Sequence, residues 1–190
     1  MELDNNINIM MFVMIFIKLR LKMLDYAYFH QGELQECVKK TVENKDLYFY
    51  FMCPAKFFSI PIERDDWDSI QFVSLKPDGE LLGFMAAYAD HRNNLIYNMD
   101  IINFSGKPNP IFSRDIKHFF DKLFIERKFR KVMFNAISGN PAVKMYRKLI
   151  KRLEGKEVGI MKDNRLLTDG KYYDEIIFEL YRETYLKVIK

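Results

Sequence analysis

The sequence predicts an α/β domain in which a mixed, mostly antiparallel central sheet is flanked by helices. Three observations carry that expectation. The apolar runs Ser69 to Leu75 and Leu81 to Ala89 flank a Pro77-Asp78-Gly79 turn and read as a hairpin. Helical periodicity alternates with short strands from Ser113 onward. The full order is strand, helix, three strands, helix, strand, helix, two strands, which describes a sheet covered by helices rather than a bundle or a sandwich.

Length and composition agree. A chain of 190 residues can bury a substantial core, and 49% hydrophobic against 29% charged residues argues against disorder. With 17 Phe and 11 Tyr, much of that core is expected to be ring packing. No repeat or linker interrupts the order, so residues 15–190 read as one domain. Residues 1–14 read as a leader outside it, for which a disordered segment and an upstream start both fit.

The elements follow in turn. Ile7 to Ile17 is nearly continuous apolar sequence, but about eleven residues cannot span a bilayer. Glu2 and Asp4 stand where a signal peptide carries Lys or Arg, so no membrane partner and a cytoplasmic location are expected. From Phe16 to Leu24, Ile17, Leu19, Leu21 and Met23 alternate with Lys18, Arg20 and Lys22, the period of a half-buried strand. Asp25 to Gly32 reads as a connection and Glu33 to Asn44 as a helix, with Leu34, Cys37, Val38 and Val42 on one stripe. Leu47 to Asp68 is aromatic and broken by Pro54 and Pro61. An irregular helical segment and a substrate-side wall both fit it.

Beyond the hairpin, Arg92-Asn93-Asn94 turns into a third strand, Leu95 to Phe104, followed by a Ser105 to Pro110 loop. A helix is expected near Ser113 as N-cap, with Asp115 in its first turn and Ile116, Phe119, Phe120, Leu123 and Phe124 as its apolar stripe. Lys131 to Ala136 reads as a strand and Pro141 to about Leu153 as a helix. Val158 to Lys162 and Glu175 to Tyr181 read as closing strands around an Asp169-Gly170 turn.

Several chemistries are disfavoured. Cys37 and Cys53 are too few for a disulfide framework and lack a His or Asp motif for thiol catalysis, so both read as buried thiols in a reducing compartment. His30, His91 and His118 lack metal-ligand spacing, and no metal is expected. The net charge of +4 is compatible with an anionic partner without demanding one.

The run Gly139-Asn140-Pro141-Ala142-Val143-Lys144-Met145-Tyr146 carries a resemblance, together with Gly155-Lys156-Glu157-Val158-Gly159 and Asp169-Gly170-Lys171-Tyr172-Tyr173-Asp174. With the element order, these make the chain resemble the GNAT superfamily of acyl-CoA N-acyltransferases over about Ser69 to Tyr181, and in general look uncharacterised Gram-positive and phage members. The family's pyrophosphate loop has glycines where this chain reads Pro110-Ile111-Phe112-Ser113-Arg114-Asp115-Ile116. Asn140 also stands one residue closer to Tyr146 than usual.

The resemblance implies acetyl-CoA as co-substrate and a primary amine as acceptor. Tyr146 would donate a proton or a hydrogen bond to the departing sulfur; as residues alone it reads as core among Val143, Met145, Leu149 and Ile150. Asp100 would serve as base, or simply pair with a neighbour. The resemblance also implies that the strand Leu95 to Phe104 splays from the next one, where its backbone N–H groups would hold the thioester carbonyl and Ile101, Ile102 and Asn103 would face the pantetheine arm. Ser113, Arg114, Asp115, Ile116 and Lys117 would bind the pyrophosphate at a helix N-terminus, with Ser113 otherwise only capping a core helix. Without glycines, the backbone should approach phosphates less closely. Asn140 would contact the pantetheine or cap its helix, and Asn135 is a lesser candidate.

The alternative to an enzyme is a catalytically weak or silent accessory protein of this fold, phage-related in kind. Lys144, Arg147, Lys148, Lys151 and Arg152 share one helical face, which fits cofactor phosphates, RNA or plain solvation; no nucleic-acid motif accompanies it, and nucleic acid is not expected. A homo-oligomer is compatible with the aromatic segment.

Overall fold

A computed structural model describes residues 24–44, 59–64, 66–167 and 169–189. The expected leader, the alternating strand before Leu24, the aromatic residues 47–58 and Cys53 lie outside the described residues.

Seven strands form one sheet: β1 (Leu24–Tyr26), β2 (Ser69–Leu75), β3 (Leu81–Asp90), β4 (Leu95–Asn103), β5 (Lys131–Ile137), β6 (Lys156–Leu166) and β7 (Tyr172–Tyr181). Their spatial order is β1-β2-β3-β4-β5-β7-β6, antiparallel throughout except for the parallel pair β4–β5. Among the described residues, four helices cover it: α1 (Gln31–Glu43), α2 (Pro110–Asp121), α3 (Ala142–Arg152) and α4 (Arg182–Val188). The mixed, mostly antiparallel α/β architecture is the one the sequence predicts.

Each face has its own core. Leu34, Val38 and Val42 of α1 pack on Val73, Phe84, Ala86 and Ile102. On the opposite face α2 lies against the sheet. Ser74 donates to buried Asp115 at 2.7 Å, and Gly83 leaves room for Phe112. A Cβ on Gly83 would stand 2.3 Å from the Ile102 carbonyl and 2.4 Å from the Phe112 ring, so only glycine permits this approach. Phe120, Phe124 and Tyr185 extend the ring packing to α4, and the Tyr185 hydroxyl donates to Asp121 at 2.6 Å.

Several boundaries depart from expectation for local physical reasons. The described first strand begins at Leu24, and Asp25 and Tyr26 pair with Val73 and Phe72 rather than forming a connection. The second helix begins at Pro110, three residues before Ser113. Asn109 Oδ1 accepts from the Ile111 and Phe112 N–H groups at 2.9 and 3.2 Å, while Pro110 occupies the first helical position, where no N–H is needed. Ser113 instead donates back to the Asn109 carbonyl at 2.9 Å, and Asp115 lies in the core, beyond the first turn. A π-turn, Lys122–Glu126, prolongs this helix. The closing strands are longer than expected because β6 bulges twice and resumes pairing at Arg165–Tyr173. Helix α4 has no counterpart in the sequence reading.

Candidate active site between two diverging strands

Strands β4 and β5 start side by side and then separate. Their pairing is confined to Leu95–Lys131 and Ile96–Val132, although both strands continue to Asn103 and Ile137. The cause lies one residue further along β4. Tyr88 pairs with Asn98 and Ala89 with Ile96, leaving Tyr97 as an extra residue. Such a bulge bends its strand and increases its twist, which turns the rest of β4 away from β5.

Beyond the bulge β4 remains bonded to β3 alone. Phe104 N–H donates to Leu82 O at 3.1 Å, and Ile102 O lies against Gly83. Backbone groups alternate sides along a strand, so those of Ile101 and Asn103 point into the gap while those of Ile102 point away. The Ile102 side chain is buried against α1. Of the three β4 residues expected to line the arm, Ile101 and Asn103 direct their N–H groups there, neither paired with β5, and Ile101 lies nearer the point where the strands part. The Asn103 carbonyl already accepts from Gly106 N.

Asp100 and Tyr88 project from the face that carries α1, two residues from Ile102 and Ala86 respectively. Tyr88 donates to Asp100 Oδ2 at 2.8 Å. Burial pushes the Asp100 carboxyl up, partly offset by the Tyr88 hydrogen bond. The Tyr88 hydroxyl is itself pushed up by burial and by the neighbouring carboxylate. Tyr88 was not legible as a site residue, since a tyrosine in the apolar run Leu81 to Ala89 reads as core. Its one signal is strand parity, which puts it on the face of Asp100.

Tyr146 comes from α3, packed in the core of the opposite face, close enough to feel the charge of Asp100. Its ring meets Phe134 of β5 edge-on at 5.3 Å and Phe178 of β7 at 6.0 Å. Burial, and then the charge of Asp100, push its hydroxyl up to about 12. That hydroxyl has no hydrogen-bond partner among the described residues. It therefore stays protonated across the neutral range, fixed by two rings, with a donor to offer. Asn140 starts this helix, its Oδ1 accepting from Ala142 N at 2.9 Å. Asn135 neighbours Phe134 on β5 and so faces the side of the sheet away from Tyr146.

The α2 candidates divide differently from expectation. Asp115 and Ile116 are buried in the core, so they cannot meet a ligand without unpacking it. Ser113 is exposed but its hydroxyl is engaged, Arg114 lies beside Asp115, and Lys117 pairs with Asp121 at 2.8 Å. The loop before α2 is closed on itself. Asn103 Oδ1 accepts from Ser105 N, Ser105 Oγ from Lys107 N, and Asn103 Nδ2 donates to Lys107 O. With Asn109 holding Ile111 and Phe112, the backbone donors that would cradle a phosphate are mostly engaged.

A smaller cavity of about 260 Å³ lies on the β1 side, lined by Tyr26, Tyr28, Phe29, Glu63, Arg64, Asp66 and Gln71. Gln35 and Gln71 staple the adjoining segment through the backbone of Ile60, Pro61 and Glu63. The charge of Glu63 reaches Tyr88, which links this wall to the Asp100 site. Cys37 is a free, partly buried thiol on α1, raised first by burial and so no ready nucleophile. No group of three or more metal-ligating side chains occurs among the described residues, and no described helix is long and apolar enough to cross a membrane.

Solved acetyltransferases share this architecture. A spermidine/spermine N-acetyltransferase, SpeG from Vibrio cholerae, superposes with a TM-score of 0.57 at 20% identity, covering 66% of this chain and 72% of that one. A chimera of Vibrio cholerae SpeG and hSSAT gives 0.57 at 18% identity over 64% of this chain and 74% of that one. A third structure, described as an acetyltransferase by assignment only, gives 0.58 at 15% identity over 82% and 81%. No family model matches the chain, and no curated protein matches it in sequence. At these identities the likeness establishes the fold.

Proposed function

We propose that this chain, which has the fold of the GNAT N-acetyltransferases, is an acetyl-CoA-dependent N-acetyltransferase acting on a primary amine. One observation carries the reading. The strands β4 and β5 part beside a backbone N–H of Ile101, and close by stand a tyrosine hydroxyl that stays protonated, Tyr146, and a partly buried carboxyl with a raised pKa, Asp100.

The chemistry follows from those three groups. A thioester carbonyl lying along β4 accepts from the Ile101 N–H, which stabilises the oxyanion formed when the amine attacks; such a donor is worth about 3 kcal/mol. Asp100 takes the proton released from nitrogen, directly or through water, and its raised pKa makes it a better base than an exposed aspartate. As the tetrahedral intermediate collapses, the C–S bond breaks and Tyr146 delivers its proton to the thiolate. Tyr88 holds Asp100 in place. Asp100 and Glu63 near the tyrosine rings supply negative charge for a cationic amine to approach. Spermidine is the acceptor named for the Vibrio cholerae structures, and a polyamine is therefore the first acceptor to assay.

The self-bonded loop before α2 supports a second reading, an accessory protein of this fold with weak or absent transfer. Thermal unfolding with acetyl-CoA separates the two. Ligand at about a hundred times its dissociation constant stabilises by about 2.7 kcal/mol. A rise in Tm of that order, with amine-dependent release of free thiol, is expected; an unchanged Tm at millimolar acetyl-CoA selects the accessory reading.

A further inference from the structure

A cavity of about 680 Å³ opens at the other end of the sheet, where β4 and β5 are still paired. Asn94, Lys128 and Arg130 line it from the starts of those strands, and Tyr181, Arg182, Glu183 and Lys187 from the end of β7 and α4. Its floor is knitted by backbone bonds, Arg130 N to Asn94 O at 2.9 Å and Arg182 N to Arg130 O at 3.0 Å. Arg182 Nε donates to Phe124 O at 2.6 Å, which fixes the guanidinium. Strand β5 separates this cavity from the open end of the gap by about 20 Å, at roughly 3.3 Å per residue.

The cavity carries four cations and one carboxylate, and Glu183 is already paired with Lys187 at 2.9 Å. The basic run Arg127 to Lys131 is divided in a telling way. Its outer members are neutralised, Arg127 by Asp66 and Lys131 by Glu179. Its inner cations, Lys128 and Arg130, have no acidic partner among the described residues, and both line the cavity. Lys128 also has φ +60, directly after the π-turn, where glycine is the low-cost residue.

The geometry points to a binding site here for an anion bearing two or more phosphoryl groups, separate from the thioester gap. Two guanidinium groups offer paired N–H donors that match phosphoryl oxygens, and Lys128 and Lys187 add point charges at the rim. Unlike the loop before α2, the cavity walls keep cationic donors uncommitted. An inorganic oligophosphate and a nucleotide share this chemistry.

Inorganic pyrophosphate and ADP are titrated separately into the full chain at low salt, with binding read by calorimetry and by backbone-amide NMR. Saturable shifts at Asn94, Arg130 and Arg182 are expected for both. The double variant Lys128→Gly, Arg130→Ala should bind each at least about tenfold more weakly, the loss of one or two charge-assisted contacts. Its Tm and its affinity for acetyl-CoA should not fall. Equal affinity for the two probes means that phosphoryl groups alone are read, and tighter ADP means that the nucleoside also engages; each supports the site. The proposal is overturned if neither probe shifts these amides at about 5 mM, if shifts occur only between residues 103 and 113, or if the double variant binds as well as the parent.

Discussion

In the proposed reaction Tyr146 gives up a proton and Asp100 accepts one, and their surroundings bear on both tasks. Both are raised by burial, and for Tyr146 this keeps the proton in place up to about 12. Replacing Tyr146 with Phe should leave acetyl-CoA binding nearly intact and lower kcat by about a hundredfold, the usual contribution of one positioned acid. Tyr88 sets the acid limb of the pH profile. Its hydrogen bond lowers the Asp100 pKa, so Tyr88→Phe should raise that pKa and move the acid limb of kcat/KM to higher pH. The sign for stability is the reverse of that for activity. A carboxyl whose folded pKa lies above its unfolded value binds protons better when folded, so its contribution is lost as pH rises through the folded pKa. Asp100→Asn should therefore raise Tm at neutral pH relative to the parent and leave it nearly unchanged at acid pH, while abolishing the acid limb. At Lys128 the backbone alone is informative: Lys128→Gly should stabilise by about 0.5–1 kcal/mol in denaturant unfolding, because relief of left-handed strain exceeds the extra entropy lost by glycine.

Helix α2 shows what was legible in the sequence and what was not. Its apolar stripe follows from periodicity, and Ile116, Phe119, Phe120, Leu123 and Phe124 are all buried. Its start does not, because Asn109 and Ser113 are both good caps and the choice depends on Pro110 fitting the first helical turn. That four-residue difference moves the phosphate-facing end of the helix and buries Asp115. Asp100 and Tyr146 are candidates through the family resemblance, whereas the contact of Tyr88 with Asp100 needs the pairing register. Helix α4 is only seven residues long and follows β7 without a turn, too short for periodicity to register. The same helix end gives a prediction in which stability and binding part. Asn109→Gly costs only a few tenths of a kcal/mol as a cap exchange, yet it releases the Ile111 and Phe112 N–H groups. Acetyl-CoA should then bind more tightly in calorimetry, by about threefold or more. Equal affinity would show that these donors do not face the pyrophosphate.

Across the whole molecule, one bulge determines what the sheet can do. With Tyr97 inserted, β4 and β5 are laced at Leu95 and Ile96 and free thereafter, so the sheet has a closed end and an open one. The residues alone reveal the strands; that β4 and β5 part is implied by the family resemblance, while the bulge itself is set by how β3 and β4 settle into register and not by the composition of either. Hydrogen exchange reads the asymmetry directly. Asp100 and Ile102, in step with Phe104, present their amides to β3, while the amide of Ile101, between the two in sequence, points into the gap. In the free protein Ile101 should exchange on the order of a thousandfold faster than its two neighbours, a contrast that no uniform opening of β4 can produce. Acetyl-CoA should remove most of that contrast by supplying the missing acceptor, and Tyr146→Phe should leave the protection in place while transfer falls. If Ile101 exchanges as slowly as Ile102 without ligand, the two strands are zipped in solution, no thioester arm can enter, and the proposed chemistry has no place to occur.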